Sequence, residues 1–208
     1  KGIKVGDRVA AHANMACRIC SDCTSGREYD CAKRIIWGFQ TANGGHAEKA
    51  CLPEVNVVKI PAGVSYDEAA AACMNLLTAW HMLVGRAAIK PGQVVLVMGG
   101  RSGVGHLGIQ IAKLYNCIVI ATASPENAEM CKQLGADYIV NHRVEDWHKQ
   151  VRPICKEIAA TQGGAPGIDV SFDHIGETHW NQQLSLLKYG GTLVSCGATT
   201  GYNAYTDL

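Results

Sequence analysis

The sequence predicts an α/β fold, a doubly wound parallel sheet, preceded by a small β region that carries a cysteine-rich loop. Strand-like and helix-like patterns alternate five times between residues 94 and 196, which is typical of a parallel sheet with helices on both faces. The apolar run Val94–Val97 leads directly into a cluster of glycines and then into a helical pattern. Four closely spaced cysteines lie ahead of this alternating region.

The bulk composition excludes several classes of partner. The 208 residues carry a formal net charge of +1, which gives no electrostatic attraction for nucleic acid or anionic lipid. No segment reaches the roughly 18 uncharged apolar residues of a membrane-spanning helix. The chain starts KGIKVGDRV, without an initiator methionine or a signal peptide, so we expect a soluble fragment that begins inside a folded unit.

The ten cysteines divide into a scattered group and a clustered group. Several of the scattered ones lie in apolar strands or helices, as buried reduced thiols do. This distribution predicts a reducing, cytoplasmic compartment. The scattered group consists of Cys51, Cys73, Cys117, Cys131, Cys155 and Cys196.

The clustered cysteines have the spacing C-x2-C-x2-C-x7-C and are Cys17, Cys20, Cys23 and Cys31. This spacing lets three thiolates curl around one point while a short loop returns the fourth. Four thiolates fill a tetrahedral Zn²⁺ site and leave no position open for chemistry, so the spacing predicts a structural zinc. Two disulfides, four unrelated thiols and, on ligand type, an iron–sulfur cluster are the alternatives.

A domain boundary is predicted at Pro61–Gly63, between a region of short strands and turns and a long helix. We therefore expect one domain over residues 1–62 and a second over residues 63–208. Ser65 and Glu68 form a capping box at the start of the helix, in which each side chain satisfies a free backbone N–H of the other residue. The apolar residues predicted to place this helix in the core are Leu76, Leu77, Trp80 and Leu83.

The alternating region predicts five strands with helices between them. Ser124-Pro125 provides an N-cap followed by proline at the first helical position. Further helices are expected over residues 144–160 and 177–187. The predicted strands are Val94–Val97, Cys117–Ala121, Tyr138–Val140, Ile168–Phe172 and Thr192–Cys196.

The glycine cluster is suited to binding a pyrophosphate. Glycines let the backbone approach the ligand, and the free N–H groups at the start of the next helix face its negative charge. Gly103 and Gly105 would supply the turn and the close approach, and Gly108 would let the helix pack against its strand. The strict G-x-G-x-x-G spacing is not kept, so a glycine turn between core elements is the alternative interpretation of these residues alone.

Residues that follow several strands are expected to line one nucleotide site, because the carboxyl ends of parallel strands meet at the same crevice. The predicted cofactor-binding residues in the glycine cluster are Gly99, Gly100, Arg101, Ser102, Gly103, Val104 and Gly105. Those at the ends of other strands are Ser124, His174, Gly197, Ala198 and Thr199.

Five motifs follow one another along nearly the whole chain: the cysteine quartet, LTAWHML, VLVMGGRSGVG, KQLGADYIVNHR and GGTLVSCGATTG. Their order and spacing resemble the zinc-type alcohol dehydrogenases of the medium-chain dehydrogenase/reductase superfamily. The resemblance implies that residues 1–62 are the C-terminal part of a GroES-like domain with a structural zinc lobe. Residues 63–208 would be an NAD(P)-binding Rossmann domain, incomplete at its C-terminal end. A small-molecule substrate and a dimer or tetramer are also implied, with the main catalytic residues outside this chain.

The resemblance places one catalytic zinc ligand inside the chain, as a cysteine five residues before the Ala-Trp pair of LTAW. Met74 occupies that position, and the adjacent Cys73 would be rotated by about 100° around the helix. Methionine is a poor zinc ligand, so a catalytic zinc is not favoured. Hydroxyl or amide groups would then stabilise developing oxyanion charge. Thr78 and Asn75 are the catalytic candidates, and ordinary capping or core hydrogen bonds are the alternative for both.

The end of the second strand bears on the choice of dinucleotide. NAD-binding proteins usually carry Asp or Glu there, which binds the ribose 2′-hydroxyl and repels a 2′-phosphate. Residues 122–124 contain no acid, Ser124 can donate to a phosphate, and Arg101 is the nearest cation in sequence. The resemblance implies a lysine that is Ala128 here, and Glu126 could turn towards the ribose. The absence of the acid favours NADP(H) over NAD(H).

The resemblance implies an NAD(P)-dependent oxidoreductase that transfers a hydride between nicotinamide and an alcohol, aldehyde or ketone. A metal-independent NADPH reductase of quinones or activated C=C bonds is one alternative, which Met74 favours. A nucleotide-binding zinc protein that has lost catalysis is the other.

Overall fold

The structure is a computed structural model that describes residues 2–206. The chain forms two compact units, Lys1–Met74 and Asn75–Leu208. This division falls later than Pro61–Gly63 because the first turns of the long helix pack within the first unit. The Cys73 thiol there donates a hydrogen bond to the Ala11 carbonyl oxygen at 3.0 Å.

The first unit is built from short antiparallel ladders, as expected for a small β region. Strand β1, Val9–Ala11, pairs with β4, Val57–Lys59, and β2, Asn14–Met15, pairs with β3, Ile35–Ile36. The Asn56 side chain, which is buried, donates to the carbonyl oxygens of His12 and Asn14 and so links the residues around β1 and β2. The unit also contains the short helix α1, Ser21–Thr24.

Helix α2, Tyr66–Trp80, starts with the predicted capping box. The Ser65 backbone N–H donates to Glu68 Oε2 at 2.7 Å, and the Glu68 N–H donates to Ser65 Oγ at 3.1 Å. The helix continues as a π-helical segment, His81–Arg86.

The core prediction for α2 holds for one of its four residues. Leu83 is fully buried, whereas Leu76, Leu77 and Trp80 are 42%, 46% and 42% exposed. The prediction for these three is wrong. Leu76 and Leu77 precede Ala79, where the helix joins the core of the second unit. The Trp80 ring packs edge-on against Tyr115, with ring centroids 6.0 Å apart, and stays outside that core. Apolar spacing identifies a face of a helix, but it does not show how far along the helix that face is covered.

The second unit contains five strands, β5 Val94–Val97, β6 Ile118–Thr122, β7 Tyr138–Val140, β8 Ile168–Asp173 and β9 Leu187–Ser195. They form one parallel sheet in the order β7-β6-β5-β8-β9. The chain adds strands first on one side of β5 and then on the other, so the direction of winding reverses between β5 and β8. The predicted doubly wound parallel sheet is confirmed.

Four helices belong to this sheet: α3 Gly105–Leu114, α4 Ala128–Gln133, α5 Trp147–Gln162 and α6 Trp180–Leu184. The helix predicted over residues 177–187 is shorter than expected, and β9 starts earlier. Tyr189-Gly190-Gly191, predicted as a turn, lies inside β9, where the register with β8 shifts between Ile168 and Val170. Gly190, with φ of 76°, takes up this irregularity, as glycine does in bulged strands.

The sheet has an apolar core on each face. One core joins Val95 and Val97 to α3 and the π-helical segment, and the other joins Leu96 to Trp147 on α5. Gly108 allows close packing, because a Cβ there would lie 2.9 Å from the Phe172 ring on β8. No helix within residues 2–206 combines the length and hydropathy needed to cross a bilayer.

Candidate functional site

A cleft of about 330 Å³ opens at the carboxyl ends of β5, β6, β7 and β8. It lies where the winding of the sheet reverses, the usual ligand position in such folds. Five of the predicted cofactor-binding residues line it, namely Gly99, Arg101, Ser102, Ser124 and His174. The other lining residues are Thr122, Ala123, Asn127, His142, Arg143 and Ile175.

The glycine turn is fixed to the end of β6. The Gly99 N–H donates to Thr122 Oγ1 and the Gly100 N–H donates to the Thr122 carbonyl oxygen, both at 2.8 Å. Gly100 itself faces the core, because a Cβ there would lie 2.9 Å from Cys131 Sγ. Val104 also packs against the core. These two predicted cofactor residues therefore lie on the core side of the turn, away from the cleft.

The contacts around Gly103 and Gly105 differ from those expected. A Cβ on Gly105 would overlap the Gly99 carbonyl oxygen, and one on Gly103 would lie 2.7 Å from Asn75 Nδ2. Protein atoms, not space for a phosphate, therefore exclude a side chain at both positions. Their proximity to a pyrophosphate stays a prediction.

A hydrogen-bonded clamp joins the glycine turn to the end of β8. His174 Nε2 lies 2.9 Å from the Met98 carbonyl oxygen and 2.8 Å from Ser102 Oγ. Because a carbonyl oxygen only accepts, Nε2 must carry a proton. Ser102 Oγ also accepts from the Gly105 N–H at 2.8 Å. Because Nε2 bears a proton, the Ser102 hydroxyl cannot donate to it, so the Ser102 proton is available for a ligand in the cleft.

The sequence analysis missed a basic group that lines the cleft beyond β7. Both guanidinium Nη atoms of Arg143 contact the Glu126 carboxylate, at 2.7 and 3.3 Å. The pKa of Glu126 is lowered, first by its own backbone N–H and further by Ser124 and Arg143. Burial lowers the pKa of the neighbouring His142, so its imidazole is neutral at pH 7. These residues directly follow a strand, so the strand-end rule applied elsewhere would have identified them.

The three predicted residues after β9 adjoin the cleft without lining it. Thr199 Oγ1 donates to the His174 carbonyl oxygen at 2.9 Å, and a Cβ on Gly197 would lie 3.2 Å from the same oxygen. Ala198 lies against Gly176. The segment therefore supports the loop that follows β8.

The two catalytic candidates lie on α2 and are partly buried. The Asn75 amide lies against Gly103 of the glycine turn. Thr78 follows one helical turn later, and neither residue is among those that line the cleft.

The cysteine quartet converges in the first unit. The sulfurs of Cys17, Cys20, Cys23 and Cys31 all lie within 4.8 Å of one another. All four cysteines are free, which contradicts the disulfide alternative. Four sulfurs about 2.3 Å from a tetrahedral zinc would be about 3.8 Å apart, close to the 3.9 Å between Cys17 and Cys23. The donor set therefore fits such an ion.

Local hydrogen bonds and burial act differently on these thiols. The backbone N–H groups of Ile19 and Cys20 lower the pKa of Cys17 to about 6. Burial raises the pKa of Cys23 to about 12. A bound cation would favour the thiolate form at every sulfur, including the buried one.

The reversed parallel sheet and the glycine turn at its cleft define a Rossmann-type nucleotide-binding domain, which follows a small β unit with four converging thiols. Residues 103–207 match the zinc-binding dehydrogenase family, and residues 1–62 match the alcohol dehydrogenase GroES-like domain. The chain belongs to the medium-chain dehydrogenase/reductase superfamily.

Similar proteins include reductases and dehydrogenases. A crotonyl-CoA carboxylase/reductase of Cereibacter sphaeroides is 30% identical over 99% of this chain and 52% of its own length. A quinone oxidoreductase of Pongo abelii is 32% identical over 78% of this chain and 47% of its own. The solved structure of an NAD-dependent alcohol dehydrogenase has a TM-score of 0.87 and 37% identity, covering 97% of this chain and 57% of that one. The chain spans about half the length of the curated relatives it matches.

Proposed function

We propose that this chain binds NADP(H) for hydride transfer to or from a small-molecule substrate. The observation that carries the proposal is the cleft at the sheet reversal, where Ser102, Ser124, Arg101 and Arg143 converge. When bound, nicotinamide supplies or accepts the hydride. The residues of this chain bind and orient the dinucleotide, with the Ser102 hydroxyl as a donor to its phosphates.

The charges around the cleft support NADP(H) over NAD(H). Arg143 and Ser124 line it together beyond the ends of β7 and β6, where a 2′-phosphate would find a cation and a hydroxyl. Glu126, the acid that could have turned to the ribose, is paired with Arg143. Its charge is therefore offset, which reduces the repulsion of a 2′-phosphate.

We propose reduction of a C=C bond conjugated to a carbonyl group, or of a quinone, as the reaction. Met74 stands where the resemblance expects a zinc-binding cysteine, and two groups of relatives are named as crotonyl-CoA reductases and quinone oxidoreductases. Negative charge develops on the substrate oxygen in such reductions, and neutral hydrogen-bond donors can stabilise it. Asn75 and Thr78 are the proposed donors, and the place of Asn75 beside the glycine turn supports its inclusion.

Oxidation or reduction of an alcohol, aldehyde or ketone is the second candidate. It is supported by the 37% identity to an NAD-dependent alcohol dehydrogenase over 97% of this chain. A protein that binds the nucleotide without catalysis is the remaining alternative.

We further propose that Cys17, Cys20, Cys23 and Cys31 hold a structural zinc, because four convergent thiols are the donor set of such a site. The proposal includes a cytoplasmic location and a homo-oligomer, which cell fractionation and analytical ultracentrifugation would test.

Turnover and metal content on one sample test these proposals. The protein, purified without chelator, is supplied with NADPH and with an α,β-unsaturated acyl thioester, a quinone or an aldehyde. Consumption of NADPH with the thioester or the quinone is the expected result. Turnover with the aldehyde alone would favour the second candidate, and binding without turnover would identify a non-catalytic protein.

A further inference from the structure

The carboxylate of Asp173 is fully buried at the last position of β8. It is held by neutral donors. Gln183 Nε2 and the Ile175 N–H donate to Oδ1 at 2.9 and 3.1 Å, and Ser195 Oγ and the Gly176 N–H donate to Oδ2 at 2.9 and 3.3 Å. A buried charge is costly unless it is hydrogen-bonded in this way. The carboxylate therefore requires these four donors to keep their positions around it.

Three of the four donors lie in the loop after β8 or at the end of β9, and the fourth, Gln183, is on α6. Ile175 and Gly176 are in the loop after β8, and Ser195 ends β9. The same segments are joined a second time, because Thr199 Oγ1 donates to the His174 carbonyl oxygen and Thr200 Oγ1 donates to that of Ile175. Asp173 thus fixes the loop after β8 relative to the end of β9.

This arrangement also controls one wall of the cleft. His174 and Ile175 line the cleft, and His174 follows the buried carboxylate directly in the chain. Its Nε2 contacts Ser102 in the glycine turn at 2.8 Å. Any shift of the loop after β8 therefore moves a cleft residue and weakens its contact with the turn.

We propose that Asp173 is a positioning residue for the nicotinamide half of the dinucleotide, an inference that rests on the proposed function. A doubly wound sheet has two mononucleotide-binding halves. The adenosine half lies with β5, β6 and β7, beside Ser124 and Arg143, and the nicotinamide half lies with β8 and β9. The groups that bind Asp173 lie in the second half, so loss of the carboxylate acts directly on that half and reaches the first only through the contact between His174 and Ser102.

The two serines of this network provide a matched pair of variants. Ser195 donates directly to Asp173, whereas the buried Ser171 donates to Gln183 Oε1 at 2.7 Å and has no hydrogen bond to either loop. Ser171→Ala breaks a more buried hydrogen bond, so it lowers stability at least as much as Ser195→Ala. If the variants act only through stability, NADPH affinity should fall with the melting temperature in both. If they act through positioning, NADPH affinity should fall only in Ser195→Ala, whose side chain contacts Asp173.

The test measures dissociation constants for NADPH and for 2′,5′-ADP, which carries only the adenosine half. Asp173→Asn keeps the size of the side chain but faces the Gly176 N–H with an amide. Asp173→Asn and Ser195→Ala are expected to weaken NADPH binding about five- to tenfold, as for the loss of one hydrogen bond. Both should leave 2′,5′-ADP binding within about twofold. Ser171→Ala should lower the melting temperature and leave both constants within the same limit.

If Asp173→Asn weakens the binding of both ligands equally, the inference fails and the proposed function stands. The same holds if Ser171→Ala weakens NADPH binding as much as Asp173→Asn does. Unchanged NADPH binding in Asp173→Asn would also overturn the inference. A wild-type protein that binds neither ligand would overturn the proposed function and the inference with it.

Discussion

Removal of the Arg143 guanidinium is predicted to weaken NADPH binding more than NADH binding. A charge-assisted hydrogen bond contributes about 1.5–3 kcal/mol when both groups leave water. The Arg143 side chain is 61% exposed, so solvent reduces this contribution to about 1 kcal/mol, or about fivefold in Kd. NADH has no 2′-phosphate, so Arg143→Ala should change its Kd by less than about twofold.

The partner of Arg143 supplies a variant with the opposite sign. Glu126 holds the guanidinium at 2.7 Å and competes with a 2′-phosphate for it. Glu126→Gln should therefore tighten NADPH binding. The gain should not exceed the contribution of an exposed ion pair, about 0.2–1 kcal/mol. Added salt should reduce both effects, because these charges are exposed.

Isothermal titration of both reduced cofactors at two ionic strengths measures these changes. The expected pattern is a loss of NADPH affinity in Arg143→Ala, a gain in Glu126→Gln and little change for NADH. An equal loss of NADPH and NADH affinity in Arg143→Ala would show that Arg143 does not recognise the 2′-phosphate. Weaker NADPH binding in Glu126→Gln would show that the ion pair, and not the free guanidinium, forms the site.

Three further changes test the fold and the thiol site. Cys20→Ser should remove zinc from the first unit and leave NADPH affinity unchanged, as measured by metal analysis and titration. Gly108→Val should lower the free energy of unfolding by about 1–3 kcal/mol in urea, because its Cβ would lie 2.9 Å from the Phe172 ring. Burial lowers the pKa of His142 from 6.5, so the unfolded chain binds the proton first and stability should fall as the pH drops through that value. His142→Asn should flatten this slope in unfolding curves recorded at several pH values.

The parallel sheet was predictable because its inner strands carry their own signals. Val94–Val97 is apolar throughout, and all four residues are buried, as expected for a strand covered on both faces. The end of the sheet was less predictable. Gly190 and Gly191 mark a turn or a bulge equally well in sequence, and only the pairing of β9 with β8 shows that they lie within a strand.

The candidate site was predictable where a motif and a strand end coincide, as at Ser102 and Ser124. Arg143 was missed although it ends the KQLGADYIVNHR motif and follows β7 closely, because that motif was used for the family resemblance and not for the cleft. The clamp between Ser102 and His174 was beyond sequence reasoning, since it joins residues 72 positions apart. The sequence also could not show why Gly103 and Gly105 must be glycines, because this depends on which atoms a Cβ at each position would meet.

The cleft at the sheet reversal is the proposed binding site for NADP(H). Titration of the wild-type protein with NADPH, followed by displacement with 2′,5′-ADP, measures this binding. We expect saturable binding of one NADPH per chain, tighter than that of NADH, and competitive displacement by 2′,5′-ADP. Absence of binding, or NADH binding about tenfold tighter than NADPH, a difference of about 1.4 kcal/mol, would contradict the proposal.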